Sequence, residues 1–137
     1  MGAVLVDAGP LIAILSRRDR HHEACRRALR EIRGPLWTVW PVLTEACYLL
    51  ATVSPRSPDA LLEMVESGVL ELAELDRRDA PRIRELMEKY ADLPMDLADA
   101  ALVRAAEREK VATIFTLDRR DFSLYRPSHT GRFQLLP

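Results

Sequence analysis

The 137-residue sequence predicts an α/β domain, a three-layer α/β/α sandwich around a mainly parallel central sheet. Three observations point there. Short apolar runs of strand character alternate with segments of helical periodicity. The connections between successive runs are mostly long enough for parallel crossovers. Length and composition suit one hydrophobic core, since the chain is 48% hydrophobic and 30% charged with 9 Pro and 5 Gly, which excludes disordered and collagen-like classes. Residues 1–137 therefore read as a single domain, with no internal repeat, low-complexity tract or linker.

The elements follow in order. Residues 3–6 form a strand ending at Asp7, and Gly9-Pro10 turns the chain into a helix over residues 11–16. Residues 21–33 carry an apolar stripe of Ala24, Cys25, Ala28, Leu29 and Ile32 opposite four arginines, and Gly34-Pro35 stops that helix. A strand over 36–39 precedes a helix from Pro41 to Val53, with Pro at a first helical position. Ser57-Pro58-Asp59 opens the next helix through Glu66, Gly68 closes it, and residues 69–75 alternate as a half-buried strand does. Residues 76–90 form an amphipathic helix, Pro94 breaks the chain, residues 96–109 form another helix, and residues 111–117 are the clearest strand. Residues 133–136 add a last strand.

Several function classes drop out. The longest apolar stretch, residues 3–15, is interrupted by Asp7 and Gly9-Pro10 and falls short of the ~20 residues of a membrane span. It also lacks the basic start of a secretory signal, so the expected location is cytoplasmic. Cys25 and Cys47 form no CxxC pair and read as buried thiols in a reducing compartment. The formal charge is −1, yet the cations are 18 Arg against only Lys89 and Lys110. Arginine suits phosphate recognition, but GC-rich coding accounts for the excess equally well.

Ligands of an open parallel sheet bind beyond the carboxyl ends of its strands. Asp7 and Asp118 stand at two such ends, and Glu45, Asp96 and Asp99 lie in first turns of helices that reach the same rim. The spacing D-x-x-D occurs three times, at Asp76/Asp79, Asp96/Asp99 and Asp118/Asp121. The first, set among Arg77, Arg78 and Arg82, reads as a helix-capping box. Asp96 also suits an N-cap. Asp99 differs, because small and apolar neighbours surround it and predict partial desolvation, and Glu45 has the same character. Such carboxylates must be protonated, paired or metal-bound. All-oxygen ligands favour Mg²⁺ or Mn²⁺ over zinc, and adjacent His21 and His22 do not make a metal pair. Trp37 and Trp40 bracket the end of the second strand; core packing is the expectation, with base stacking the alternative for an exposed ring.

Four segments carry a family resemblance: Val4-Leu5-Val6-Asp7-Ala8-Gly9-Pro10, Leu43-Thr44-Glu45-Ala46, Asp96-Leu97-Ala98-Asp99-Ala100, and Thr116-Leu117-Asp118-Arg119-Arg120-Asp121. In this order and at these separations the chain resembles the PIN-domain ribonucleases, and among them the small toxins of the VapC type. The resemblance implies a metal-dependent endoribonuclease whose acidic quartet is Asp7, Glu45, Asp99 and Asp118, with Asp96 and Asp121 as auxiliary acids and Thr116 as a hydroxyl near the metal. It implies Mg²⁺ or Mn²⁺, an RNA substrate, a cognate antitoxin and a homodimer. Where many members carry Ser or Thr just after the first Asp, Ala8 and Gly9 stand here, which removes one expected hydrogen bond. Arg17, Arg18, Arg20, Arg119 and Arg120 are candidate phosphate contacts once metal neutralises the acids. The alternative reading is a catalytically silent PIN-like module that binds RNA or protein. A phosphoacceptor receiver lacks support, because no adjacent acidic pair follows the first strand, and a D-x-D phosphatase is excluded by the absence of that motif.

Overall fold

The computed structural model describes residues 2–137. In chain order its elements are β1 (Val4–Val6), α1 (Ala8–Leu15), α2 (His22–Glu31), β2 (Leu36–Thr38), α3 (Trp40–Ala51), α4 (Ser57–Glu66) and β3 (Glu71–Leu72). A 3₁₀ turn (Arg77–Asp79), α5 (Ala80–Lys89), α6 (Leu97–Glu109), β4 (Thr113–Phe115), α7 (Arg119–Leu124) and β5 (Gln134–Leu136) follow. The five strands are all parallel in the order β3-β2-β1-β4-β5. β1 is central, pairing Val4 with Leu36 on one side and with Thr113 on the other. Its residues Val4, Leu5 and Val6 are fully buried, as expected of a strand covered on both faces.

The order reverses at β1, because the chain moves outward through β2 and β3 and then returns to place β4 on β1's other side. Right-handed crossovers consequently put α1–α4 on one face and α5–α7 on the other. Within these groups α1 contacts α2 and α3, α3 contacts α4, and α5 contacts α6. α3 and α6 also meet, and their N-terminal turns line a common cleft.

Several boundaries differ from the sequence expectation for identifiable reasons. α1 starts at Ala8, so Gly9 and Pro10 lie inside its first turn. The first N–H groups of a helix have no internal partner, so Pro10 forfeits nothing there. The strand expected over residues 69–75 shrinks to Glu71–Leu72, a sheet edge bonded only to β2. The helix expected over residues 76–90 splits, because the Asp76/Asp79 capping box first closes a 3₁₀ turn. Gly68 ends α4's connection at φ +84, a left-handed geometry that disfavours any residue with a Cβ. α7 follows β4 where the sequence predicts no helix.

Buried Cys25 has its thiol pushed up to about 11 by burial and then by Asp19, which makes it unreactive. Cys47 is half-buried, and both cysteines are free. Among the described residues no helix is long and apolar enough to cross a membrane.

Candidate metal centre

The switch in strand order opens a crevice between β1 and β4 at the carboxyl rim, the location where parallel sheets hold ligands. A cleft of about 500 Å³ lies there, lined by Asp7, Glu45, Asp96, Asp99, Asp118 and Asp121 together with Ala8, Gly9, Pro94 and Leu117. All six acids singled out from the sequence therefore face one space.

Each acid is delivered by a strand end or by the first two turns of a helix. Asp7 follows β1 directly and its N–H donates to the Phe115 carbonyl at 2.9 Å, extending the β1–β4 pairing by one bond. Its carboxylate is also the N-cap of α1, Oδ1 accepting from the Ala8 N–H at 2.8 Å. Asp96 caps α6 by accepting from the Asp99 N–H at 2.8 Å, and Asp118 caps α7 by accepting from the Asp121 N–H at 3.2 Å. The two D-x-x-D segments thus work as caps while their second acids turn into the cleft. Gly9 also fits closely, since a Cβ there would sit 3.3 Å from the Leu117 side chain that lines the same wall.

Asp99, Asp118 and Asp121 form the tightest group, each offering an oxygen within 4.8 Å of the others. Asp7 and Glu45 line the same cleft outside that trio. Asp121, expected as an auxiliary acid, accordingly stands nearer Asp99 and Asp118 than its rank implied.

The electrostatics are those of acids crowded without counter-charge. Among the described residues no Arg or Lys forms an ion pair with any of the six. Burial pushes the Asp7 carboxyl up, against the pull of the Ala8 N–H and the Thr116 hydroxyl, and Asp96 and Asp118 push the same way as burial. Asp99 is raised to about 7, by burial first and then by Asp96, Asp7 and Asp118, although the Tyr125 hydroxyl favours its ionised form. Glu45 is exposed on the rim, yet the cleft wall desolvates its carboxyl and Asp7 and Asp96 push it further upward. Asp121 is raised by burial and then by Asp118. A divalent cation reverses each of these penalties at once.

Two hydroxyls hold the acids in place. Thr116 Oγ1 donates to Asp7 Oδ2 at 2.9 Å and accepts from the Asp118 N–H at 3.0 Å, tying the two strand ends together. Thr116 thereby supplies the hydroxyl contact that Ala8 and Gly9 cannot. Tyr125 donates to Asp99 Oδ2 at 2.8 Å. Its ring is fully buried, edge-on to Tyr90 and to Phe122 with centroids 5.0 Å away in both cases. The sequence reading missed Tyr125, although Phe122 and Tyr125 three residues apart after a D-x-x-D cap mark the inner face of a short helix. Trp40 was expected in the core and is instead 59% exposed, whereas Trp37 packs against the core as expected.

Residues 4–126 match the PIN domain family. This chain belongs to the PIN-domain family. It is 33% identical to Ribonuclease VapC26 of Mycobacterium tuberculosis over 135 residues, 98% of this chain and 100% of that one. Solved structures share the fold at lower identity. VapC20 of Mycobacterium tuberculosis, a sarcin-ricin loop cleaving toxin, superposes with TM-score 0.79 at 16% identity over 85% of this chain and 91% of its own. VapBC2 of Rickettsia felis, solved with a DNA fragment from its promoter, gives 0.64 at 13% identity over 98% and 99%. FitAcB of Neisseria gonorrhoeae gives 0.61 at 16% identity over 96% of both chains.

Proposed function

We propose that this PIN domain hydrolyses RNA phosphodiesters with Mg²⁺ or Mn²⁺ held in the acidic cleft, as the VapC-type ribonuclease toxin of a toxin-antitoxin pair. The observation that carries the reading is the convergence of six carboxylates, without a protein cation, at the switch point of the sheet. The donor set fits such an ion: every available ligand is a carboxylate oxygen, the preference of hard divalent cations. The PIN family match and the VapC26 relative support the ribonuclease assignment.

Asp7, Glu45, Asp99 and Asp118 are the ligands of this reading, with Asp96 and Asp121 as auxiliaries; Asp121 has an oxygen within 4.8 Å of Asp99 and Asp118, which supports a larger share for it. A divalent cation held by these carboxylates would supply a nucleophilic water near neutral pH and would neutralise charge at the phosphodiester. The protein's part is to orient the acids and to leave them free of competing protein cations. Thr116 holds Asp7 and the start of α7 in register, and Tyr125 fixes Asp99 through one oxygen while leaving the other free. Exposed Arg119 and Arg120 adjoin Asp118 in sequence and suit the flanking phosphates.

The test is cleavage of defined single-stranded RNAs in Mg²⁺, Mn²⁺ or EDTA by the wild type and by Asp7→Asn. Cleavage that survives EDTA, or that Asp7→Asn leaves intact, overturns the reading. The antitoxin partner is assigned a basic side chain that enters the cleft in place of the cation's charge. Raising Mg²⁺ should then weaken inhibition; inhibition indifferent to Mg²⁺ leaves steric blockade.

A further inference from the structure

A second cleft, of about 570 Å³, adjoins the acidic one. Its walls are Trp40, Pro41 and Thr44 of α3 and Leu97 and Ala98 of α6, and it shares Glu45 and Asp96 with the acidic cleft. Trp40 is 59% exposed and Leu97 53% exposed, both in the opening turns of their helices. An indole and a leucine left in water beside a carboxylate cluster gain nothing for the fold.

We propose that this cleft receives one unpaired nucleobase of the RNA, stacked on Trp40, next to the phosphodiester that the acidic cluster acts on. The proposal rests on the ribonuclease reading and names where substrate selection occurs. A base is joined to its phosphate through one sugar, so a base site must adjoin the phosphate site, and these two clefts share two walls. The chemistry divides the same way. A base is flat and uncharged, and its faces suit indole and leucine, while N–H groups on its edge suit the oxygens of Thr44, Glu45 and Asp96. No Lys or Arg lines this cleft, so a phosphate finds no partner in it. A base-paired nucleotide cannot enter, because both its faces and its pairing edge are occupied. Selection for single-stranded or looped RNA follows from this geometry.

The experiment compares wild type, Trp40→Phe and Trp40→Ala on a single-stranded RNA of defined sequence and on the same RNA with one base removed at each position in turn. Stacking of a base on an aromatic ring corresponds to a loss of about fivefold to a hundredfold when the ring is truncated. Trp40→Ala should lose that much in kcat/KM, mainly through KM, with its melting temperature unchanged, and Trp40→Phe should recover most of it. One abasic position should cost the wild type the same factor and cost Trp40→Ala nothing further. Binding is read separately with Ca²⁺ replacing Mg²⁺: RNA should quench wild-type tryptophan fluorescence, and Trp40→Phe should lose that quenching while still binding. Unchanged kcat/KM in Trp40→Ala overturns the proposal and leaves the ribonuclease reading standing. So does an equal Trp40→Ala loss on every abasic RNA. If Trp40→Ala cleaves normally but escapes inhibition by a co-expressed antitoxin, the cleft belongs to a protein segment. Failure of the wild type to cleave any RNA with metal overturns the ribonuclease reading itself.

Discussion

Helix α6 carries Asp99 in its first turn and Glu107 near its last, about 12 Å apart along the axis at 1.5 Å per residue. At the first end the acids meet other acids, backbone N–H groups and two hydroxyls but form no ion pair among the described residues, and Asp99 is raised to about 7. At the other end Glu107, 2% exposed at its side chain, accepts from Arg82 at 2.8 Å and from the Ser128 N–H at 2.8 Å. Asp79, equally buried, accepts from Arg104 at 2.8 Å, from Arg108 at 3.0 Å and from the Asp76 N–H at 2.8 Å. Burial opposes ionisation of both, yet these donors outweigh it and hold both carboxyls below their ordinary values. Burial of a carboxylate is therefore no mark of function by itself. What separates the two ends is whether the protein provides the counter-charge or leaves it to come from outside.

The comparison breaks most sharply under mutation. Asp99→Asn or Asp118→Asn should reduce cleavage by more than the roughly 10- to 100-fold seen for groups that only orient a metal ligand. The same variants should fold as well as wild type in EDTA or better, because each removes one of several repelling charges and an Asn oxygen still accepts from Tyr125. Melting in EDTA well below wild type would make Asp99 a structural anchor.

Asp79→Ala should do the reverse. Removing Asp79 strands the Asp76 N–H and two partly exposed guanidinium groups, at a cost of roughly 1–3 kcal/mol, read by urea unfolding, while cleavage per folded molecule stays unchanged. A stable Asp79→Ala protein that no longer cleaves would erase the distinction between the ends.

Tyr125→Phe tests the groups that hold the acids. Metal affinity should fall by about 10- to 100-fold, followed by Mn²⁺ titration, with a smaller effect on stability. Affinity equal to wild type would reduce Tyr125 to packing.

The smallest effect is in pH. In metal-free protein Asp99 binds its proton more tightly folded than unfolded, so its contribution is present below about pH 4 and is lost as pH rises through about 7. Asp79 and Glu107 have the opposite sign: their contribution is present above the ordinary carboxylate range and is lost as pH falls through their lowered values. Melting in EDTA should decline by a few degrees between pH 5 and pH 8, and saturating Mg²⁺ should remove the decline. A flat metal-free profile would show that the cleft acids are not strained.

Much of this was legible in the sequence because it follows from local rules. Acids at strand ends and helix starts can be located from hydrophobic period and turn chemistry, and all six reach the cleft as expected. α7 lies outside the sequence expectation, although Asp118/Asp121 repeats the capping pattern recognised at Asp76/Asp79. The pairing of Asp79 with Arg104 and Arg108 was not, because it joins residues 25 and 29 apart across a helix packing that no local pattern specifies. Trp40 was misplaced for a related reason: its apolar character predicts burial, but only the way α3 meets α6 decides which side of the first turn is covered.

The Thr116 to Asp7 hydrogen bond, spanning 109 residues, carries a consequence for synthesis. Asp7 leaves the ribosome early, while Asp99, Thr116 and Asp118 are still untranslated. At about 5–20 residues per second the interval amounts to several seconds at least. During that time β1 lacks β4 as a neighbour, and the cleft has one wall of acids instead of two. Until residues 99–118 have been made, the nascent chain lacks Asp99, Thr116 and Asp118, so the acidic cleft cannot assemble on it.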